Sequence, residues 1–587
     1  MNTRTLGRRA MMPAAFRIPS RRVLVLAALT ALSQWVLALA TLLVISTAHA
    51  AETGAPRFDL ATASIADVQA GFADGSLSSE KLVRAYLARI AAYDKKGPTI
   101  NTVITLNPKA VEEARTLDAE RKAGKIRGPL HGVPIVLKDN FDTFDMPTTA
   151  GSTLLKGSVP PDDAFVVKRL RAAGAIIVAK LNLSEFAAGG GSVGGAKDPA
   201  VIKAGTVPNG YSSMGGQTRN PHALDYGPSG SSGGTGAAIA AVFAQFGMGT
   251  DTASSVRGPS SVNGIVGLKP TTGLLSRDGI VPLSLSLDTA GPMARSVYDI
   301  AVALNVMAAV DPADSMTRKS EGRFEKDYRV FLKRGALKGA RIGIARDFNG
   351  QDAAVDAVFN TAVENVRKLG ATTVDFRYPA YMLEGRADAF NTVVQSEFKA
   401  QIADYLKTTG PQYPKTLDDI VRLSNDPKTG YPSKEKAYAF KYSASVALDL
   451  DDPVYLAAKN EGFAMVKAAV DAVMKKYKLD AIVYLSSPTA AAPIVPPANP
   501  GPRSPVASAF NISNMAGYPD LVVPAGMTAA GLPVTLSFFG PAFSDGKLLG
   551  YGYDFEQATH ALRLPKNTPP LPGDLIASDG PRLTSLK

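Results

Sequence analysis

The chain of 587 residues contains no cysteine, only four histidines and a single tryptophan. The absence of cysteine excludes disulfides, thiol catalysis, iron–sulfur clusters and zinc sites with cysteine ligands. The histidines, at positions 49, 131, 222 and 560, are too scattered for a histidine-rich metal site, and they leave few candidates for a Ser-His-Asp triad. We therefore expect neither a metal nor a cofactor.

A basic surface is also lacking, although the formal net charge is +12. Six arginines within residues 1–22 supply half of that charge, and they all precede the first acidic residue, Glu52. The remaining excess of positive charge produces only a weak electrostatic field for so long a chain, and no basic stripe with interleaved aromatics is present. We expect no nucleic-acid partner. A composition that is 45% hydrophobic and 20% charged is ordinary for a globular protein and excludes disorder and collagen-like structure.

The N-terminus has the pattern of a targeting segment. Residues 23–51 carry no charge and follow an arginine-rich start, and Ala48-His49-Ala50 matches the small-x-small pattern of a signal-peptidase site. We interpret residues 1–50 as a signal peptide and the protein as exported, either periplasmic or secreted. The alternative is a retained membrane anchor at residues 23–45, the only case in which we expect membrane contact. Arg21-Arg22 also resembles a twin-arginine export signal.

The rest of the chain is patterned as an α/β protein. Short apolar runs without polar alternation, at 133–137 and 175–179, are joined by the helical stretch 163–173. Such runs predict strands of a sheet that is buried on both faces. Similar runs recur at 340–345, 480–484 and 520–524. No linker divides the chain, so we expect one large domain over residues 51–564.

Three further segments stand apart from this strand pattern. Residues 386–475 are charged and helical in pattern, which predicts a helical insertion or cap over the sheet. The prolines of 493–505 and of the Pro-rich tail, 565–587, predict no regular element in either segment. Ser78 precedes a helical pattern that continues to Ile90, so we interpret Ser78 as a helix cap.

The densest unusual segment is the Gly/Ser tract 227–236, which is followed by the small-residue run 237–243. A glycine-rich turn that enters a helix presents free N–H groups and a positive dipole end, which suits an anion or a developing oxyanion. No Walker A motif is present. Gly189–Gly194 satisfies G-x-G-x-x-G, but no helical pattern follows it, so we expect no dinucleotide site there.

The same tract also permits a hydrolase of another class. Gly230-Ser231-Ser232-Gly233-Gly234 satisfies G-x-S-x-G, the nucleophile elbow of α/β-hydrolases. An esterase of that kind needs a histidine later in the chain, and only His560 qualifies. Because His560 lies in a terminal helical pattern rather than in a loop after a strand, we keep this interpretation as an alternative.

Two other segments supply chemistry that does not need histidine. Lys138 ends the apolar run 133–137, where burial favours the neutral amine. Residues 249–260 form a second small-residue loop that is rich in hydroxyl groups. A serine hydroxyl is a poor nucleophile until a partner accepts its proton, and with so few histidines the available bases are carboxylates or a neutral lysine.

In these segments the chain closely resembles the amidase signature family of Ser-Ser-Lys serine amidases. The lysine, the Gly/Ser loop and the second serine loop match in order, and Ser231 and Ser255 are 24 residues apart, as the family pattern requires. The match continues through 264–271, 288–296 and 531–534, so that it extends from about Ser78 to Ala558. The resemblance implies an α/β fold in which helices cover a large mixed β-sheet core.

The family mechanism, carried onto this chain, assigns the catalytic groups. It implies that Ser255 is the nucleophile, Ser231 the bridging serine and Lys138 the base. The reaction would then hydrolyse a carboxamide to a carboxylate and ammonia or an amine, through an acyl-enzyme on Ser255. The resemblance also implies a cis peptide bond between Gly230 and Ser231.

One departure from the family lies beside the nucleophile. The family has two glycines there, whereas this chain has Ala253 and Ser254, whose Cβ atoms restrict φ and crowd the loop. The resemblance implies that Asp251 and Arg257 hold this loop through hydrogen bonds. The backbone N–H groups that would form the oxyanion hole are those of Thr252, Ala253, Ser254 and Ser255.

The substrate follows from the branch of the family. Residues 215–221 and 276–282 look most like those of bacterial peptide amidases, so a C-terminal peptide amide is the expected substrate, with no obligate protein partner. The glutaminase component of tRNA-dependent amidotransferases shares the motifs, but it works in the cytoplasm with a partner and ATP, and the signal segment argues against it. The departure at Ala253 and Ser254 also permits a catalytically inactive homologue.

Overall fold

The apolar runs of the sequence form the strands of a large sheet. The computed structural model describes residues 57–187, 196–495 and 508–577. The strands among these residues are β1 (Arg57–Asp59), β2 (Val103–Leu106), β3 (Pro134–Lys138), β4 (Ile176–Leu181), β5 (Tyr211–Ser212), β6 (Gly216–Gln217), β7 (Phe246–Asp251), β8 (Val266–Lys269), β9 (Thr289–Ala294), β10 (Arg341–Ala345), β11 (Thr372–Phe376), β12 (Ala481–Leu485), β13 (Asp520–Met527), β14 (Pro533–Phe539) and β15 (Leu575–Ala577).

The central sheet has 11 strands in the order β11-β10-β12-β14-β13-β8-β9-β7-β3-β4-β2. Strands β11, β10 and β12 are parallel at one end, β7, β3 and β4 are parallel near the other, and the pairs between them are antiparallel. Every residue of β3, β4, β7, β9 and β12 is buried. This explains why these strands show no alternation of polar and apolar residues. The predicted mixed α/β sheet is confirmed.

Helices cover both faces of this sheet. They are α1 (Ile65–Ala73), α2 (Ser79–Tyr93), α3 (Ala110–Lys122), α4 (Phe165–Ala172), α5 (Pro199–Gly205), α6 (Gly233–Ala240), α7 (Arg257–Val262), α8 (Val297–Met307), α9 (Ala353–Lys368), α10 (Ala380–Leu406), α11 (Leu417–Asn425), α12 (Lys434–Val446), α13 (Pro453–Ala457), α14 (Phe463–Tyr477), α15 (Ile512–Ala516) and α16 (Asp545–Thr559). The Ser78 side chain accepts the N–H of Lys81 at 3.1 Å, so Ser78 is the N-cap of α2 as predicted.

The charged segment 386–475 contains parts or all of α10 to α14 and no strand. Its first helix begins six residues earlier than predicted, at Ala380. Phe398, Ile402 and Phe440 of this segment form one hydrophobic cluster with Phe186 and Val281 of the sheet domain. The insertion is therefore packed onto the sheet domain through apolar side chains of both. Phe58–Ser578 makes up one compact unit.

Two local predictions are wrong in their boundaries. Helix α6 begins at Gly233 rather than after Gly236. A Cβ on Gly234 would lie 2.2 Å from the carbonyl oxygen of Asn182, so close packing against the end of β4 requires glycine inside the helix and overrides its low helix propensity. Gly249–Asp251, expected to be loop, belong to β7 because they pair with Thr289–Gly291 of β9.

The prediction of no regular element beyond Leu564 is wrong for β15, which pairs with β1. The prolines at 565, 569, 570 and 572 all precede β15, so they remove none of its backbone donors. The buried Arg89 side chain holds this segment by donating to Thr568 O at 2.9 Å and by pairing with Asp574. Residues 1–50, where a signal peptide is expected, and the Gly189–Gly194 motif lie outside the described residues. No helix within the described ranges is long and apolar enough to cross a membrane.

Candidate active site

Lys138 is the last residue of β3 and is fully buried. Strands β3 and β7 are parallel neighbours, so Lys138 and Thr250 lie at the same edge of the sheet. The Lys138 Nζ atom is 2.7 Å from Ser231 Oγ and 2.7 Å from Thr250 Oγ1. Burial lowers the pKa of Lys138 to about 7, although the carboxylates of Asp288 and Asp251 act in the opposite direction. A large fraction of neutral amine is therefore present near neutral pH.

The Gly/Ser tract delivers Ser231 to this lysine. The peptide bond between Gly230 and Ser231 is cis. Gly230 leaves no room for a side chain, since a Cβ there would lie 2.4 Å from Ser184 Oγ. The Ser231 carbonyl accepts the N–H of Ser184 at 3.0 Å, which fixes the turn to the end of β4. The Ser231 hydroxyl is fully buried, with Lys138 as its hydrogen-bond partner.

The second loop brings Ser255 to the first one. The N–H of Ser232 donates to the carbonyl of Ser255 at 3.2 Å, so the two serine loops are joined one residue away from Ser231. Ser255 keeps 7% of its surface exposed, whereas Ser231 and Lys138 have none. The three residues that the sequence places in the catalytic group are thus assembled in one place, with Ser255 on the accessible side.

The backbone around Ser255 has free donors. Within the described part of the chain, no acceptor is bound to the N–H groups of Thr252, Ala253, Ser254 or Ser255. The next two N–H groups, of Val256 and Arg257, donate to Asp251 Oδ2 at 3.0 and 3.3 Å. Neither Ala253 nor Ser254 is among the described residues with positive φ. Their Cβ atoms therefore do not force the loop into a left-handed conformation, and the donors remain available for an oxygen.

Asp251 and Arg257 form the buried framework of this loop. The Arg257 side chain donates to Asp251 Oδ2 at 3.1 Å, to Asp520 Oδ2 at 2.9 Å and to Asn514 Oδ1 at 2.7 Å. Asn514 Nδ2 in turn donates to the Asp251 carbonyl at 3.0 Å. Burial alone would raise the pKa of Asp251, but the charge and hydrogen bonds of Arg257 hold it below its usual range.

Four polar residues of the site lie outside the set indicated by the sequence: Asn140, Thr250, Asp288 and Asn514. Asn140 Nδ2 donates to Thr250 Oγ1 at 3.1 Å, and the Thr252 hydroxyl donates to Asp288 Oδ1 at 2.5 Å. Asp288 begins the matched segment 288–296, Thr250 lies in the loop 249–260, and Asn140 follows Lys138 by two residues, so each carries a weak signal. Asn514 has no such signal, because it reaches the loop from α15, more than 250 residues away in the chain.

The geometry does not support the alternative of an α/β-hydrolase with a nucleophile elbow at residues 230–234. The hydroxyl of Ser232, the serine of that pattern, donates to the Thr250 carbonyl at 3.2 Å and is fully buried. His560 lies exposed just after α16. Among the described residues no hydrogen bond joins Ser232 to His560. In the same part of the chain, no group of three or more histidine or acidic side chains is placed to hold a metal ion.

Comparison with known proteins agrees with this arrangement. The family model described as Amidase matches residues 81–549. The structure of peptide amidase from Stenotrophomonas maltophilia is 38% identical, with a TM-score of 0.76, and the alignment covers 86% of this chain and 98% of that one. A probable amidase of Arabidopsis thaliana is 32% identical over 516 residues, covering 87% of this chain and 92% of the relative.

A third relative has a different role in its own organism. This relative, one of the subunits of glutamyl-tRNA(Gln) amidotransferase in Anaeromyxobacter sp. (strain K), is 35% identical over 524 residues, which is 87% of this chain and 99% of the relative. Peptide amidase and this amidotransferase component therefore share the fold and most of the length of this chain. The chain belongs to the amidase family, in its peptide-amidase-like branch, and is a hydrolase that acts on carbon–nitrogen amide bonds.

Proposed function

We propose that this protein is an exported serine amidase that hydrolyses carboxamides, with C-terminal peptide amides as its substrates, through an acyl-enzyme on Ser255. The observation that carries the proposal is the buried contact of 2.7 Å between Lys138 Nζ and Ser231 Oγ, beside a loop with free backbone donors. The similarity to the Stenotrophomonas peptide amidase supports the choice of substrate.

The proton follows a short relay. When Ser255 Oγ attacks the amide carbon, its proton passes to Ser231 Oγ, and the proton of Ser231 passes to the neutral amine of Lys138. The C–N bond then breaks, and the proton returns from Lys138 through Ser231 to the leaving nitrogen. Water attacks the resulting ester in a second round of the same relay, which releases the carboxylate and restores Ser255.

The loop 252–255 supplies the electrostatic part of the reaction. As the carbonyl carbon becomes tetrahedral, its oxygen gains negative charge. The unpaired N–H groups near Ser255 can donate to this oxygen without any rearrangement, because the Asp251 and Arg257 contacts already fix the loop. Loss of one such donor in other serine hydrolases costs about 3 kcal/mol of transition-state stabilisation.

The experiment is an ammonia-release assay of the purified protein on peptide amides and free glutamine, with release of the alcohol measured on matched peptide esters. We expect turnover of peptide amides, and Ser255→Ala should abolish it. Ser260→Ala is the matched control, since Ser260 is a buried serine five residues further along, on α7. Mass spectrometry of the protein quenched during turnover should detect an acyl group on the peptide that contains Ser255. Strong activity in Ser255→Ala would overturn the assignment.

The amidotransferase relative makes glutamine an informative substrate. If the protein released ammonia from glutamine far faster than from any peptide amide, and more so with ATP and an acceptor tRNA, a glutaminase role would replace the proposal. Our proposal requires no partner and no ATP, so the activity on peptide amides should be complete with the purified chain alone.

Export is the second part of the proposal and has its own test. The single tryptophan, Trp35, lies inside residues 1–50. Protein isolated from its native host should therefore have an N-terminus near Ala51 and show tyrosine emission only. An intact mass that retains residues 1–50 would favour a membrane anchor instead.

A further inference from the structure

A small cavity lies beside Thr250, the residue that contacts Lys138. Its polar lining residues are Thr250, Thr252, Arg277, Asp288 and Thr289, and Val281 and Leu283 are among its apolar lining residues. Thr250 is the residue whose hydroxyl contacts Lys138 Nζ, and Thr252 begins the row of free backbone donors. Asp288 therefore shares an enclosed, largely apolar space with Thr250, which contacts the proposed base, and with Thr252, the first of the free backbone donors.

The carboxylate of Asp288 is buried and fully engaged with neutral donors. Its Oδ1 atom accepts the Thr252 hydroxyl at 2.5 Å, and its Oδ2 atom accepts the N–H groups of Leu283 and Ser284 at 2.9 and 3.0 Å. Within the described ranges Asp288 forms no ion pair with an arginine or a lysine. A buried carboxylate without a cation is costly, and these three hydrogen bonds offset part of that cost.

We propose that Asp288 is a positioning residue of the amide hydrolysis: its carboxylate anchors Thr252 and stabilises the ammonium that Lys138 becomes when it receives the proton of the nucleophile. This inference rests on the proposed function, because it takes Lys138 as the base. The carboxylate would thus act on the charge that develops during the reaction, without contacting the substrate.

The other charges around these two groups are already paired. Asp251, the second carboxylate that acts on Lys138, is bound by Arg257 at 3.1 Å. Arg277, which acts on Asp288, is paired with Asp314. Burial raises the pKa of Asp288 to about 6, and hydrogen bonds from Thr252 and the backbone act against this rise. Asp288 is therefore ionised in the pH range where Lys138 becomes neutral.

The unmodified protein provides the first test. If the active form needs both an ionised Asp288 and a neutral Lys138, log kcat/KM should rise with pH towards a midpoint near pH 7, with a slope of at least 1 on the acid side. Circular dichroism at each pH should show that the protein stays folded. A profile that stays flat between pH 5 and pH 8, in folded protein, would overturn the inference.

The second test is Asp288→Asn, which keeps the shape and removes the charge. Because the ammonium loses a favourable charge, the midpoint of the rising limb should move to lower pH by about 1. On the plateau, kcat should drop at least tenfold. Asp545→Asn is the matched control: Asp545 is also buried and accepts a threonine hydroxyl, that of Thr271, at 2.5 Å. Asp545→Asn should leave the midpoint and the slope of the pH profile unchanged.

The outcomes separate the inference from the proposed function. A Lys138→Ala protein that kept its rate would remove Lys138 as the base and the whole relay with it. If Lys138→Ala lost the rate while Asp288→Asn lowered kcat without moving midpoint or slope, Asp288 would only support the loop, and the inference alone would fail.

Discussion

The Thr250 hydroxyl oxygen accepts two hydrogen bonds, from Lys138 Nζ at 2.7 Å and from Asn140 Nδ2 at 3.1 Å. Both of its lone pairs are thus occupied, so Thr250 is a fixed acceptor for the lysine. A neutral amine has two N–H donors and one lone pair. With one donor bound to Thr250, its lone pair can face Ser231, which is the orientation that proton transfer requires.

The first prediction concerns this contact. Thr250→Val keeps the shape of the side chain and removes the acceptor. The hydrogen bond that orients the Lys138 amine, which contributes about 1 to 2 kcal/mol, is then lost. We expect kcat to fall about tenfold and KM to change little, since Thr250 does not bind substrate in the proposed mechanism. Steady-state kinetics on a peptide amide measure both. Thr535→Val, which removes a buried hydroxyl bonded to Ser261, is the control and should retain kcat.

The second prediction separates the amidase site from the esterase alternative. Within the described residues, the Ser232 hydroxyl bonds only the backbone of Thr250, so Ser232→Ala should reduce kcat far less than Ser255→Ala does. His560→Ala should have no effect, because His560 is exposed beyond α16. An ester and an amide assay should give the same ranking. Loss of all activity in His560→Ala would restore the elbow interpretation.

The third prediction concerns the framework of the nucleophile loop. Arg257→Met would leave the buried carboxylates of Asp251 and Asp520 without their cation, so we expect a loss of about 3 to 5 kcal/mol in the free energy of unfolding. Chemical denaturation measures it. Arg329→Met is the control, because the ion pair of Arg329 with Asp327 is solvent-exposed and contributes less than about 1 kcal/mol. Equal losses in the two variants would contradict a structural role for Arg257.

The sequence predicts a feature of this site when the feature depends on neighbouring residues in the chain, and it misses features that depend on contacts between distant segments. The strands β3, β4 and β12 follow from uninterrupted apolar runs, because burial on both faces leaves a local pattern. Ser231, Ser255 and Lys138 are marked by motifs that lie within a few residues of each. Thr250 lies in the hydroxyl-rich loop 249–260, but nothing in the sequence singles it out from its neighbours, and Asn514 carries no local signal, since its role arises only when distant segments meet. The early start of α6 is likewise set by packing against Asn182, which no propensity encodes.

The fourth prediction addresses Ala253 and Ser254, where the family has glycines. Both residues lie outside the positive-φ region, so the loop geometry does not need glycine. Changing both to glycine should leave kcat within a few-fold and lower the free energy of unfolding by about 1 kcal/mol, through the greater freedom of the unfolded chain. Kinetics and denaturation of the double variant measure the two effects. A gain of activity above tenfold would show that these side chains restrict the site.

The last prediction follows from the buried charge of Lys138. Its pKa is about 7 in the folded protein, below its ordinary value of about 10.5, because burial disfavours the ammonium. Below pH 7 both folded and unfolded chains hold the proton, so the folded state bears the full cost of a buried charge. Between pH 7 and 10.5 only the unfolded chain holds it, so the contribution of this group to stability rises with pH.

Lys138→Met removes this group and keeps most of its volume, so it should stabilise the protein more at pH 6 than at pH 9. From the folded pKa of about 7, the difference between the two pH values should be about 2 to 3 kcal/mol. Denaturation curves of both proteins at pH 6 and 9 measure it, and Lys81→Met, at an exposed position on α2, provides the control. If Lys138→Met changed stability equally at both pH values, Lys138 would keep its proton across this range. The amine would then not be neutral at pH 9, and a base other than Lys138 would have to accept the proton of Ser231.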